Sequence, residues 1–247
     1  MLRSAFLSSC YMAALVAAMS FNSPDGKNGK ATLHILFENY VGNQPLQIDN
    51  GQYKNDLGQS YTVSMLKYYI SNIQLVKADQ NKVNFDDYFL VNEEEKGSKN
   101  IGLNTVPEGE YTAISFILGV DSLHNCSGAQ SGALDPINGM FWAWNTGYIF
   151  LKMEGQSPVS TQSRHMLEFH IGGYKAPNNC IRNFTLKFKK PLIITAGKNA
   201  SIEIKTDLEE LFKTPTVIDF SKTSSVTDFH NAATIADNYK DMFTTPQ

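Results

Sequence analysis

From Ala31 onward the chain alternates apolar and polar residues with period two. Leu33, Ile35 and Phe37 interleave with His34, Leu36 and Glu38, the pattern of a half-buried strand. Similar short runs recur at Tyr61 to Leu66, Tyr68 to Val76, Tyr88 to Val91, Tyr111 to Leu118, Tyr148 to Met153, Met166 to Ile171, Phe184 to Phe188 and Ser201 to Ile204. Turn-forming clusters separate them, among them Asn50-Gly51, Asp79-Gln80-Asn81, Pro107-Glu108-Gly109 and Gly197-Lys198-Asn199. Many short strands without βαβ alternation predict an all-β chain, an antiparallel β-sandwich. Two helices are expected late in it. A short one spans Asp207 to Phe212, with Thr206 and Glu209 spaced as a capping box. A C-terminal one runs from Asp228 to Phe243, its stripe of Phe229, Ala232, Ala233, Ala236, Tyr239 and Phe243 docking on the sandwich. The longest irregular stretch, Gly119 to Asn145, is where function is most expected.

The chain has 247 residues, 42 % hydrophobic and 18 % charged, enough for a substantial core and without a disordered composition. A net charge of -3 argues against nucleic acid or an anionic membrane as partner. Residues 1–20 read as an export signal: Met1-Leu2-Arg3 gives a positive start, Ala5 to Ala18 an apolar run too short to span a bilayer, and Ala18-Met19-Ser20 small residues for cleavage. Leu7-Ser8-Ser9-Cys10 also fits a lipoprotein box and gives the second reading, with Cys10 lipidated. Either way the protein is exported, to the periplasm or the cell surface. Residues 21–30 form a polar, flexible lead-in, and residues 31–247 one domain. Export leaves Cys126 and Cys180 in an oxidising compartment, where a disulfide is the natural expectation and free thiols or a soft metal ligand the alternatives.

No enzyme signature survives scrutiny. Gly128-Ala129-Gln130-Ser131-Gly132 has the wrong spacing for a serine elbow, and P-loop, dinucleotide and HExxH patterns are missing from the sequence. Glu93-Glu94-Glu95 beside Lys96-Gly97 reads as a solvated hairpin tip. The expectation is a protein that is not an enzyme. Metal binding is the chemistry left open, since a copper site takes two to four imidazole or sulfur donors from separate elements. Of the five histidines, His170 is the leading candidate, alternating with Phe169 and Ile171 just before Gly172-Gly173, and His124, in the loop before Cys126, is second. His34, His165 and His230 read as surface residues, and Met242 as core filler.

Both tryptophans fall in Gly139-Met140-Phe141-Trp142-Ala143-Trp144-Asn145-Thr146-Gly147-Tyr148, where an uninterrupted strand would point both indoles to one face. Read alone, the pair is either core packing or a platform for stacking on a sugar. With Glu168-Phe169-His170-Ile171-Gly172-Gly173 it resembles the MbnP-like family of bacterial periplasmic copper-binding proteins. The resemblance extends through Phe37-Glu38-Asn39-Tyr40-Val41-Gly42, Lys67-Tyr68-Tyr69-Ile70-Ser71-Asn72-Ile73, Gly109-Glu110-Tyr111, Gly119-Val120-Asp121 and Gly132-Ala133-Leu134-Asp135-Pro136, closest to the branch found in Bacteroidota. It implies a β-rich protein that binds copper through histidines and a tryptophan oxidised to kynurenine by a MauG-type diheme partner. Carried over, Trp142 or Trp144 is the residue modified, and His170, with His124, the ligand set. Two departures stand out: Leu123-His124-Asn125 replaces a Leu-Asn-His order, and Asn39 stands where relatives often carry histidine. The alternative is a metal-free interaction module that binds glycans or proteins.

Overall fold

The computed structural model describes residues 31–142 and 147–245, excluding the side chains of Phe229 and His230. The export signal, the lead-in, Cys10, Trp144 and the side chain of His230 lie outside the described residues. Fourteen strands are formed among those described: β1 (Ala31–Val41), β2 (Gln44–Pro45), β3 (Tyr53–Lys54), β4 (Ser60–Lys77), β5 (Lys82–Asn92), β6 (Asn100–Val106), β7 (Gly109–Leu118), β8 (Phe141–Trp142), β9 (Gly147–Gln156), β10 (Met166–Gly172), β11 (Arg182–Ile194), β12 (Ala200–Asp207), β13 (Ser225–Val226) and β14 (Phe243–Thr244). Two α-helices join them, α1 (Ser122–Cys126) and α2 (Phe229–Asn238). No described helix is long and apolar enough to cross a membrane.

The strands build a β-sandwich. In the five-stranded sheet β12 lies between β14 and β1, and β1 also pairs β2 and β6; the nine-stranded sheet runs β11-β7-β4-β9-β10-β13, with β3 and β5 on β4 and β8 on β9. β1 buries every odd-numbered residue, as its period-two pattern predicts. Phe37, fully buried, reaches from β1 across to Phe116 on β7 and Tyr68 on β4, with ring centroids 6.0 and 6.2 Å apart. Phe243, four residues from the chain end, closes this aromatic layer by packing edge-on against Phe37, Phe116 and Phe184.

Several expectations change in the structure. The sandwich is not purely antiparallel: β1 and β12 pair in parallel, Leu33 opposite Ala200 through Tyr40 opposite Asp207. The two runs around Lys67 are one strand, β4, because Lys67 takes an outward position between buried Leu66 and Tyr68. A bulge at Asn72, whose φ is 51°, bends β4 in its second half. The turn after β12 is a 3-10 helix, Leu208–Phe212, capped by Asp207, whose carboxylate accepts from the Glu209 amide. Thr206 instead bonds the Tyr68 hydroxyl at 3.1 Å inside the core. α2 ends at Asn238 rather than Phe243 and passes into a 3-10 turn, Tyr239–Asp241, while the Asn238 side chain bonds the backbone of Leu211 and Thr216.

The expected Cys126–Cys180 disulfide is not formed; both cysteines are free thiols. Cys180 is fully buried, its thiol directed at the Asn178 carbonyl and pushed by burial up to about 12, while Cys126 is exposed at the end of α1. Cys180 is turned to the core and Cys126 lies at the surface, and the two are not bonded to one another. Glu93 is likewise not a freely solvated tip residue: it accepts from the buried Asn39 amide at 2.7 Å and pairs with Lys99 at 3.1 Å.

Candidate functional site

The tryptophan segment begins as a strand because Phe141 and Trp142 pair with Tyr148 and Gly147 of β9. Trp142 points inward and is 1 % exposed. Gly172 at the end of β10 is what admits the indole. A Cβ there would lie 2.8 and 3.0 Å from Trp142 Cζ3 and Cη2 and 2.5 Å from the Tyr148 carbonyl oxygen. The tryptophan motif and the glycine after His170 are therefore one packing unit. The preceding loop is fastened to the same strand: Asn125 accepts from the Tyr148 amide and donates to the Val120 carbonyl, and the Tyr148 hydroxyl donates to the Leu134 carbonyl.

β10 turns Leu167, Phe169 and Ile171 into the core and leaves His170 on the opposite face. There its Nε2 meets Glu154 Oε1 at 2.8 Å, and Lys152, directly across the ladder, meets the same oxygen at 3.3 Å. Burial holds the His170 imidazole below its ordinary value of 6.5, with the Lys152 charge adding to the effect and Glu154 opposing it. Burial alone would raise the Glu154 carboxyl, but the His170 bond and the Lys152 charge outweigh it, so it lies below its ordinary 4.5. The pair thus rests, near neutral pH, as a carboxylate accepting from a neutral imidazole's Nε2–H. That tautomer leaves Nδ1 with a lone pair.

The linkage follows from these directions. Unfolded His170 takes up its proton at higher pH than the folded residue, so folding loses stability as pH falls through 6.5 toward the folded value. Glu154 contributes stability above about 4.5 that is lost as pH falls through its lower folded value. Glu154→Gln removes the charge that favours the imidazolium. Its expected effect is a further drop in the His170 titration midpoint, followed by imidazole NMR; a midpoint that rises would contradict the pairing.

His124 lies elsewhere and has its own partners. Asp121 caps α1, its Oδ1 accepting from the Leu123 and His124 amides. His124 Nδ1 lies 3.1 Å from Asp121 Oδ2 and 2.7 Å from the Tyr88 hydroxyl, which also bonds Asp121 Oδ2. Among the described residues His170 and His124 share no partner, and no three His, Cys, Asp or Glu side chains gather to hold a metal. Asn39 and Asn125, at the two departures from the copper-binding pattern, are both buried and used structurally. Asn39 bonds Glu93 and Tyr68, and Asn125 ties the loop to Tyr148. His34 Nδ1 lies near Asn100 on the surface, His165 Nδ1 bonds the Ser160 carbonyl, and Met242 is fully buried, as expected for core filler.

The sequence reading found His170 but missed Glu154 and Lys152, which reach it only through the β9–β10 register. Tyr88 was likewise invisible as a partner of His124. Asp121 was missed as well, although Asp-Ser-Leu-His carries the signal of an N-cap with histidine at the third position after it.

Comparison with known proteins adds two findings. A family model described as MbnP matches residues 30–231. A solved structure, MbnP from Methylosinus trichosporium, aligns over 83 % of each chain with a TM-score of 0.54 and 16 % identity, a likeness of fold. A search of curated proteins gives no match.

Proposed function

The chain belongs to the MbnP family, and from that premise we propose that it is an exported, non-catalytic protein that binds or buffers copper, with His170 as an imidazole ligand. The observation that carries this is the His170–Glu154 pair. Copper in an oxidising compartment is taken by neutral imidazole, and a metal-binding histidine usually donates its other N–H to a carboxylate that fixes the ring. His170 has both properties: burial disfavours its proton, and Glu154 holds Nε2 at 2.8 Å. No three described His, Cys, Asp or Glu side chains gather to hold a metal, so His170 does not by itself complete a coordination sphere.

The burial of Trp142 bears on the finer points. At 1 % exposure it offers no face to a partner enzyme or a sugar ring, so Trp144 is the member of the pair to examine for oxidation by a diheme partner. Kynurenine at that position would supply an aniline nitrogen and a carbonyl, donors that indole lacks. The same burial removes Trp142 as a stacking platform.

Copper titration of the full chain against a competing chelator tests the proposal. His170→Ala is expected to weaken binding by more than about 100-fold, and Glu154→Gln by about 10-fold or more, the scale of outer-shell changes. His124→Ala should leave the affinity within about threefold of wild type, since its ring is held elsewhere by Asp121 and Tyr88. Unchanged affinity in His170→Ala would remove this site.

A further inference from the structure

The connection from β9 to β10, residues 157–165, borders an open cavity of about 250 Å3 beside the start of β4. Gln52, Thr62, Gln156, Pro158, Arg164 and His165 line it, and no Asp or Glu is among its described lining residues. Three donor groups in that lining are unspent. The Arg164 guanidinium, the Gln52 amide and the Thr62 hydroxyl have no bonded partner among the described residues.

The loop that carries Arg164 is held from several sides. Ser157 donates its amide to the His165 carbonyl at 2.9 Å and its hydroxyl to the Ser60 carbonyl at 2.7 Å, and the Ser160 hydroxyl donates to the Met166 carbonyl at 2.6 Å. His165 donates Nδ1–H to the Ser160 carbonyl at 3.1 Å, so the neutral ring keeps a lone pair on Nε2. Within this frame Arg164, at φ 55° and ψ 23°, and His165, at φ 56°, both adopt the left-handed conformation that turns ordinarily give to Gly or Asn. The backbone does not require these two residue types. What they supply is a planar cationic fork and an imidazole at the cavity wall.

The lining selects the chemistry of a ligand. A guanidinium can give two parallel N–H bonds to one carboxylate, and Gln52 and Thr62 add neutral donors. Nε2 of a neutral His165 is an acceptor, which a carboxylate cannot use and a ligand hydroxyl can. The volume lies just below the roughly 300–1,000 Å3 of sites for drug-sized molecules, so the ligand is small. We propose that this cavity binds a small hydroxycarboxylate, with its carboxylate on Arg164 and its hydroxyl donating to His165 Nε2. His170 does not line the cavity, and the site is independent of copper and of any change to the tryptophans.

Calorimetric titration of the metal-free full chain with citrate tests this. Wild type is expected to bind one equivalent saturably. Arg164→Asn should weaken binding at least about tenfold, the scale of a lost charge-assisted hydrogen bond. The same variant should raise the thermal unfolding midpoint, because asparagine tolerates a left-handed backbone better than arginine does. A residue with only a structural role would not lose binding while gaining stability. His165→Asn should weaken citrate binding severalfold and leave that of tricarballylate, which is citrate without its hydroxyl, unchanged. His170→Ala should leave citrate binding as in wild type, so a failure of copper binding and a failure of this site are separate results. The proposal would be overturned by no saturable binding in wild type, by wild-type affinity in Arg164→Asn, by loss of binding there only together with a lower midpoint, or by displacement of citrate by an equal concentration of sulfate.

Discussion

Trp142→Ala is expected to destabilise the protein by about 3–5 kcal/mol, the range for deleting a large buried aromatic. The indole is 1 % exposed and seated over Gly172, and its removal opens a void that the neighbouring strands cannot close. β8 is held to β9 by the pairs Phe141–Tyr148 and Trp142–Gly147, and β9 to β10 from Ile149 to Gln156. Collapse into the void would therefore have to break a ladder. For a chain of this size the loss corresponds to a fall in melting temperature of roughly 10 °C. Urea unfolding with a Trp142→Phe control, which keeps an aromatic ring, measures it. Equal midpoints for wild type and Trp142→Ala would mean that the indole is not part of the core.

Gly155→Ala should cost about 3 kcal/mol or more, at the upper end of what overpacking does. Gly155 sits in β9 between Val63 of β4 and Leu167 of β10, and a Cβ there would fall 1.9 Å from the Thr62 carbonyl oxygen. That neighbour is backbone in the middle of the nine-stranded sheet, so it cannot rotate away as a side chain would. The strand must shift instead, and Glu154, the adjacent residue, shifts with it. The variant is accordingly expected to lose both stability and the fixed His170–Glu154 geometry. Gly102→Ala is the matched control: its nearest neighbour is Thr32 Cγ2 at 4.0 Å, and it should change the unfolding midpoint little.

The parts of this architecture that were legible in the sequence are those governed by local periodicity. β1 and β10 follow from alternation alone, which is why His170 was placed correctly outside the core beside buried Phe169 and Ile171. β6 was missed because Gly102 and the asparagines of Asn100–Val106 look like turn residues, although Ile101, Leu103 and Val106 alternate into the core around an irregular position at Thr105. Pairing was not legible at all. The parallel contact of β1 with β12 joins segments far apart in the chain, and Glu154 becomes the partner of His170 only through a register that no local pattern encodes. The expected disulfide failed for a related reason: the cysteines' compartment and number favoured it, but burial of Cys180 is a tertiary outcome. At the tryptophans, period two puts both indoles on one face; Trp142 lies in the core and Trp144 outside the described residues. What it could not supply was that Gly172, thirty residues on, makes the room.

Direct detection of imidazole coordination tests the central claim best. With the full chain labelled at histidine, addition of one equivalent of Cu(I), a diamagnetic ion, is expected to shift the His170 ring signals in proton–carbon NMR while leaving those of His34 and His165 in place. The shift should persist to pH below the ordinary histidine range, because burial already disfavours the competing proton. Copper bound tightly with the His170 signals unmoved would contradict the assignment of His170 as ligand.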